Sequence, residues 1–192
     1  MSKLIYFLLL AYFTGAIPFA LIVSKLKGIN LREIGSKNLG TTNVYRAMGL
    51  KWASLVFVLD FLKGFIPTIL AIHFLNQPLW HVLIGITAVL GHMLSLFVKF
   101  KGGKGAATGL GVLLALTPTV FLICAILAVI IIGTTRYVSL ATITCSLIIP
   151  ILIYYLGYPL EYMKVIGIVC ILVILKHRGN ISRLIKGKEN KI

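Results

Sequence analysis

Six apolar runs set the limits on what this chain can fold into. They cover residues 4–23, 52–75, 79–98, 106–132, 138–156 and 160–175, and short polar or glycine-rich stretches separate them. Each is close to or beyond the ~20 residues that a helix needs to cross a bilayer. Mean hydropathy is +1.04 and only 12% of residues are charged, against 59% hydrophobic. A soluble domain of 192 residues could not bury that much apolar surface. In lipid every backbone polar group must be satisfied within the protein, which leaves helices or a closed barrel, and runs of this length read as helices. The expected fold class is therefore an all-α integral membrane protein forming one membrane-embedded domain over residues 1–192. The first run is too long for a signal-peptide core and has no small-residue cleavage site, so it is expected to stay in the chain.

Charge sets the expected orientation. The formal net charge is +15, and Glu33, Asp60, Glu161 and Glu189 are the only carboxylate side chains. In a membrane protein such an excess marks cytoplasmic loops that face anionic lipid, and the hydropathy argues against nucleic acid as the partner. Residues 106–132 decide the topology. A single crossing would give six spans and put the basic loops and the basic tail on opposite sides, so the chain is expected to reverse at Thr117-Pro118, giving seven transmembrane helices, N-terminus out and C-terminus in. Lys25, Lys27, Arg32, Lys37, Arg46, Lys51, Lys99, Lys101, Lys104, Arg136 and the basic tail then share the cytoplasmic side. Residues 106–116 would rise only about 16 Å as a helix, half of a hydrocarbon core. A half-length helix following a loop that dips into the protein is the expected form. Cys124, Cys145 and Cys170 lie within apolar runs without CxxC spacing and read as packing residues.

Three polar stretches carry the chemistry. Residues 99–111 hold three lysines and five glycines. Such a loop, opening into a helix N-terminus, brings free N–H groups close to an anion, and Lys104 adds a full charge. The Walker A spacing is absent, because Gly105 follows Lys104. Residues 35–46 combine Ser36, Asn38, Thr41, Thr42 and Asn43 with Arg46, hydroxyls and amides beside a guanidinium fork, a set suited to a polyol phosphate. Capping and turn formation account for some of these residues but not all. In the tail, His177 and Asn180 are spaced i, i+3 and share one helical face. Anchoring to anionic lipid explains the tail's lysines without requiring His177 or Asn180. Asp60 and Lys63, also i, i+3 and inside a span, are expected to satisfy each other.

What is missing narrows the field. None of His73, His81, His92 and His177 has an aspartate five residues on, as an H-x-x-x-x-D acyltransferase box would need. No H-E-x-x-H, paired-aspartate motif or nucleophile elbow occurs. With one aspartate in the chain, no carboxylate-held metal site and no cofactor is expected. A small-anion or phosphate transporter is the alternative reading, although such a fold favours internal repeats and midplane charges.

The three polar segments together resemble the PlsY family of acyl-phosphate:glycerol-3-phosphate acyltransferases. G-S-x-N-x-G-x-T-N-x-x-R matches residues 35–46, with Lys37 where the family usually has glycine and Thr41 where it often has alanine. F-K-G-G-K-G-x-A-T matches residues 100–108, and H-x-x-N-I-x-R-L-x-x-G-x-E matches residues 177–189. The resemblance implies transfer of a fatty acyl group from acyl phosphate to the 1-hydroxyl of glycerol 3-phosphate, giving lysophosphatidic acid and inorganic phosphate. It also implies a bacterial cytoplasmic (inner) membrane enzyme with a cytoplasm-facing site, whose partners are membrane lipids and the enzyme supplying acyl phosphate. His177, Asn180, Lys104 and Ser36 would be catalytic. Asn38, Thr41, Asn43, Arg46, Gly102, Gly103, Gly105, Thr108 and Arg183 would bind substrate. The base would be His177 or the departing phosphate.

Overall fold

Ten α-helices account for the regular structure of residues 2–192, the part of the chain that the computed structural model describes, apart from one 3-10 turn at Leu96–Val98. They are α1 (Ser2–Ala16), α2 (Phe19–Leu26), α3 (Thr41–Met48), α4 (Leu50–Phe74), α5 (Pro78–Met93), α6 (Ala106–Leu116), α7 (Pro118–Thr135), α8 (Val138–Tyr155), α9 (Leu160–Lys176) and α10 (Arg178–Ile185). Five segments are long and apolar enough to cross a membrane: Lys3–Leu26, Leu50–Phe74, Pro78–Val98, Pro118–Thr135 and Val138–Tyr155. The remaining two apolar helices are shorter, α6 at 11 residues and α9 at 17.

The long run 106–132 is two helices, as the proline implied. Thr117 precedes Pro118 and is pushed out of the helical region (φ −143°, ψ 71°), ending α6, while Pro118 opens α7 with its pre-set φ. The first span is likewise interrupted, at Ile17-Pro18, between α1 and α2.

Helix α5 sits at the centre and packs against α1, α4, α6 and α9. Its neighbours approach through glycine. A β-carbon at Gly15 would collide with the Ala88 carbonyl across the α1–α5 contact. Between α4 and α6 the contact is backbone on backbone in both directions. A β-carbon at Gly64 would strike the Thr108 carbonyl, and one at Gly111 would strike the Phe61 carbonyl. Lipid provides no hydrophobic drive for helix association, so close van der Waals approach through small residues replaces it. The outer faces carry the lipid-facing apolar residues: Leu122, Ile126, Val129 and Ile130 of α7 are all more than half exposed.

Asp60 and Lys63 of α4 form the expected pair, Nζ to Oδ1 2.6 Å, with both side chains buried. The Lys63 ammonium also donates to the Ile17 carbonyl at 2.8 Å, and Ser95 Oγ donates to the Ala16 carbonyl. The break in the first span interrupts its hydrogen-bond ladder, and these two side chains supply donors there.

The α4–α6 contact yields a direct test. Gly111→Val should cost about 1–3 kcal/mol or more through overpacking, seen as a lower midpoint of thermal unfolding in detergent. Gly109→Ala, where a β-carbon meets nothing within 4 Å, should leave the midpoint unchanged. Equal midpoints for both variants would show that the helices can separate freely.

Candidate active site

One cavity of about 300 Å³ runs from the three polar segments into the bundle. Its polar end is lined by Ser36, Asn38, Thr41, Asn43, Arg46, Lys104, Gly105, His177, Asn180 and Glu189. The other end is walled by apolar side chains of α6, α7, α8 and α9, among them Leu113, Ala128, Ile149, Ile166 and Val173. Cys124, Cys145 and Cys170, expected as packing residues, all lie in this wall.

The first polar segment is a loop that ends in a short helix. Gly35 and Lys37 both take positive φ, +55° and +58°. The lysine thus stands in the left-handed region that glycine occupies without strain, which gives a physical reason for the family's glycine there. Buried Asn43 holds the loop: its Oδ1 accepts from the Ser36 N–H at 3.0 Å and its Nδ2 donates to the Leu31 carbonyl at 3.0 Å. Its amide lines the cavity but is spent on the fold. One turn of α3 further on, Arg46 donates from one terminal nitrogen to the Asn190 carbonyl at 2.8 Å. Arg46 Nε and Thr41 Oγ1 are buried with no hydrogen-bond partner among the described residues. Burying polar groups without partners is costly, and these two are suited to meet a ligand.

The second segment turns on left-handed residues at Lys99 and Phe100, then on Gly105 (φ +82°) at the N-cap of α6. The start of α6, Ala106 and Ala107, lines the cavity, so the positive end of the helix dipole faces it. Gly102 and Gly103 do not reach the cavity. They lie behind it, against the carbonyl and ring of His92. Thr108 is fully buried against α4, and its Oγ1 has no hydrogen-bond partner among the described residues.

The third segment is the junction of α9 and α10. His177 Nδ1 lies 2.8 Å from the Val173 carbonyl. A carbonyl only accepts, so Nδ1 carries the proton and Nε2 is left as an acceptor. Asn180 shares that face, as its spacing implied. Its Oδ1 accepts from Lys104 Nζ, and its Nδ2 donates to Glu189 Oε1 at 2.6 Å. Glu189 also accepts from Ser139 Oγ (2.9 Å) and from Arg183 Nε (2.8 Å). Arg183 thus engages Glu189 and does not line the cavity. Glu189 pairs with a nearby cation, Arg183, as its place among the basic residues of the tail implies. It closes the third motif, and its further bonds to Asn180 and Ser139 are what only the structure shows. Ser139 carried no signal at all.

Electrostatics separates two basic groups at the polar end of the cavity, Lys104 and His177. Burial pushes the Lys104 ammonium down to about 8; Glu189 opposes this, and Arg183 and Arg46 add to it. Burial also pushes His177 down to about 4, helped by the nearby Lys104 charge. For Glu189, burial acts to raise the carboxyl, but hydrogen bonds from Asn180, Ser139 and Arg183 outweigh it and hold it below the usual range. Near neutral pH the polar end therefore presents a charged lysine beside a neutral imidazole.

A polytopic helical membrane protein is thus defined, with one cavity joining a cationic, hydrogen-bonding end to an apolar end. Comparison with known proteins makes the assignment specific. The family model for glycerol-3-phosphate acyltransferase matches residues 5–187. The chain is 43% identical to the glycerol-3-phosphate acyltransferase of Aquifex aeolicus (strain VF5), covering 98% of this chain and 99% of that one. With the enzyme of the same name from Fusobacterium nucleatum it shares 42% identity over 96% of each chain. Two crystal structures of PlsY, an integral membrane glycerol 3-phosphate acyltransferase, superpose closely. The glycerol 3-phosphate form has a TM-score of 0.95 at 41% identity, covering 99% of this chain and 96% of that one. The lysophosphatidic acid form has a TM-score of 0.92 at 40% identity, covering 99% and 95%. The chain belongs to the glycerol-3-phosphate acyltransferase family typified by PlsY.

The Lys104 shift predicts a pH dependence for anion binding at this cavity. A lysine lowered to about 8 is charged below that pH and neutral above it. Affinity for inorganic phosphate, measured by titration calorimetry, should fall by about tenfold or more as pH rises from 7 to 9.5, the worth of one charged hydrogen bond. Lys104→Met should bind weakly throughout and show no such step. Affinity unchanged up to pH 9.5 would remove Lys104 from the anion site.

Proposed function

We propose that this protein transfers a fatty acyl group from acyl phosphate to the 1-hydroxyl of sn-glycerol 3-phosphate, releasing lysophosphatidic acid and inorganic phosphate. The observation that carries the reading is the continuity of the cavity. A phosphate-binding constellation and an apolar slot meet in one space, as an amphipathic acyl donor and a polar phosphate acceptor require. The family membership and the two ligand forms of the PlsY structures support it.

Little acid catalysis is needed, because acyl phosphate is a mixed anhydride with a good leaving group. The enzyme's part is alignment and charge neutralisation. Lys104, Gly105 and the N-terminus of α6 face the phosphate of the donor, while its chain lies along the wall of α7, α8 and α9. Ser36, Asn38, Thr41 and Arg46 hold glycerol 3-phosphate. His177 Nε2 accepts the hydrogen bond of the attacking hydroxyl and aims it at the acyl carbon, and Asn180 holds the Lys104 ammonium in place. The hydroxyl oxygen bonds to the acyl carbon and the carbon–oxygen bond to phosphate breaks. An imidazole lowered to about 4 is a weak base, and a phosphate monoester takes up a proton near pH 6. The hydroxyl proton therefore passes to the departing phosphate.

The proposal includes a seven-span arrangement in the bacterial cytoplasmic membrane. In it α6 is a half-length helix, the N-terminus lies outside, and the cavity mouth opens to the cytoplasm, where an enzyme supplying acyl phosphate would dock. The concentration of cations at the cavity end of the loops supports this orientation.

Purified protein should convert labelled glycerol 3-phosphate to lysophosphatidic acid with palmitoyl phosphate, but not with palmitoyl-CoA, in the presence of chelator. Product from palmitoyl-CoA alone would overturn the donor assignment, and no product from either would overturn the reaction. In intact spheroplasts, Lys188→Cys should resist a membrane-impermeant maleimide that labels Lys3→Cys. The reverse pattern would invert the orientation.

A further inference from the structure

Asp60, Lys63 and His92 are not used in the reaction just described, yet they lie buried together, and Asp60 and His92 line the same cavity. Asp60 is 1% exposed, Lys63 5% and His92 8%. Burying such charges is costly, and apolar residues of similar volume commonly replace an ion pair without loss of stability. Packing alone therefore does not account for the cluster. Its contacts run in one direction. Lys63 donates to the Ile17 carbonyl at the break of the first span and pairs with Asp60 at 2.6 Å. Asp60 faces His92, Oδ1 to Nδ1 3.7 Å. His92, near the C-terminus of α5, presents its carbonyl to Gly102 and its ring Nε2 to Gly103, so closely that a β-carbon at either glycine would collide. The Gly102 N–H donates to the Met93 carbonyl at 3.2 Å, fixing the loop to the same helix end. Lys104 is the next residue.

We propose that Asp60, Lys63 and His92 form a positioning unit: anchored at the Ile17 carbonyl, it holds the His92 ring as a rigid backing for Gly102 and Gly103 and so fixes the Lys104 ammonium at the reacting phosphate. The inference rests on the acyl-transfer reading for its kinetic consequence, but not for its structural one. These are positioning residues, because they act through the loop. Glycine is required at 102 and 103 for the reason that makes the support rigid: no side chain separates the loop backbone from the imidazole. An apolar cluster would fill the same space but could not grip a carbonyl at one end and orient an imidazole at the other.

The test combines hydrogen exchange with kinetics on the full-length protein in lipid nanodiscs. The variants are His92→Leu, His92→Gln and the paired Asp60→Asn/Lys63→Met, which removes both charges and leaves no orphaned ion. His81→Leu is the control, being a buried histidine bonded to the Leu75 carbonyl, away from the loop. In His92→Leu and the paired variant, amides 102–105 should exchange about tenfold faster while α4, α5 and α6 keep their protection. kcat with palmitoyl phosphate should fall about a hundredfold, the scale of a 1 Å misplacement, with KM for glycerol 3-phosphate moving less than threefold. His92→Gln, whose amide can still reach Asp60, should recover part of both, and His81→Leu should change neither. Unchanged loop exchange, faster exchange with undiminished kcat, or loss of protection throughout α4–α6 would each overturn the inference. Wild-type protein inactive with acyl phosphate, alongside faster loop exchange in the variants, would overturn the reaction and leave the positioning unit standing.

Discussion

The contact between the backbones of α4 and α6 is the constraint on which the rest of this structure depends. An 11-residue helix rises only about 16 Å, so α6 cannot cross a bilayer, and the loop before it has non-helical backbone. Such backbone is tolerated at depth only where protein surrounds it or a cavity receives it. Gly64 and Gly111 let α6 lie against α4 without side chains between them, at the Thr108 and Phe61 carbonyls. That approach sets where α6 begins, and its beginning is the floor of the polar end of the cavity. Replacing either glycine would lift α6 outward and move its dipole and Lys104 together.

A second dependence runs through Glu189. The carboxylate accepts from Asn180, Ser139 and Arg183 and so joins α10 and the tail to the start of α8. Because Asn180 gives its Nδ2 to Glu189, its Oδ1 is the atom left for Lys104. The orientation of one amide thus links the basic tail to the glycine loop. Those segments meet at side chains 76 residues apart in the sequence, and neither holds the lysine alone: the loop supplies backbone freedom, and the tail supplies the acceptor.

Hydropathy made the helices legible, and proline made their interruptions legible at Thr117-Pro118. The i, i+3 pairs Asp60–Lys63 and His177–Asn180 were readable because helical periodicity alone places their side chains together. Other features depend on what lies across the bundle. Asn43 reads as a ligand residue until both of its amide atoms are found on loop backbone. Gly102 and Gly103 read as part of the anion cradle, yet they are the side of the loop that rests on His92. Arg183, a cation inside a matching motif, serves Glu189. In each case residue type was right for phosphate chemistry. Tertiary contact decided whether the group faces the cavity or holds a neighbour that does.

Lys104 and His177 show how one buried site separates two roles with groups of the same charge type. Burial disfavours the charged form of both, and the lysine's charge pushes the imidazole further down. Starting values roughly four units apart keep the pair split: near neutrality the lysine holds its proton and the histidine does not. For the proposed reaction, a second cation at His177 would draw phosphate away from Lys104 and leave the incoming hydroxyl no acceptor. The neutral imidazole, with Nδ1 bound to the Val173 carbonyl, offers only a lone pair on Nε2. In the proposed acyl transfer, charge neutralisation falls to the lysine and orientation of the nucleophile to the histidine. In that proposal, the low basicity that suits His177 to the task also directs the transferred proton onward to phosphate.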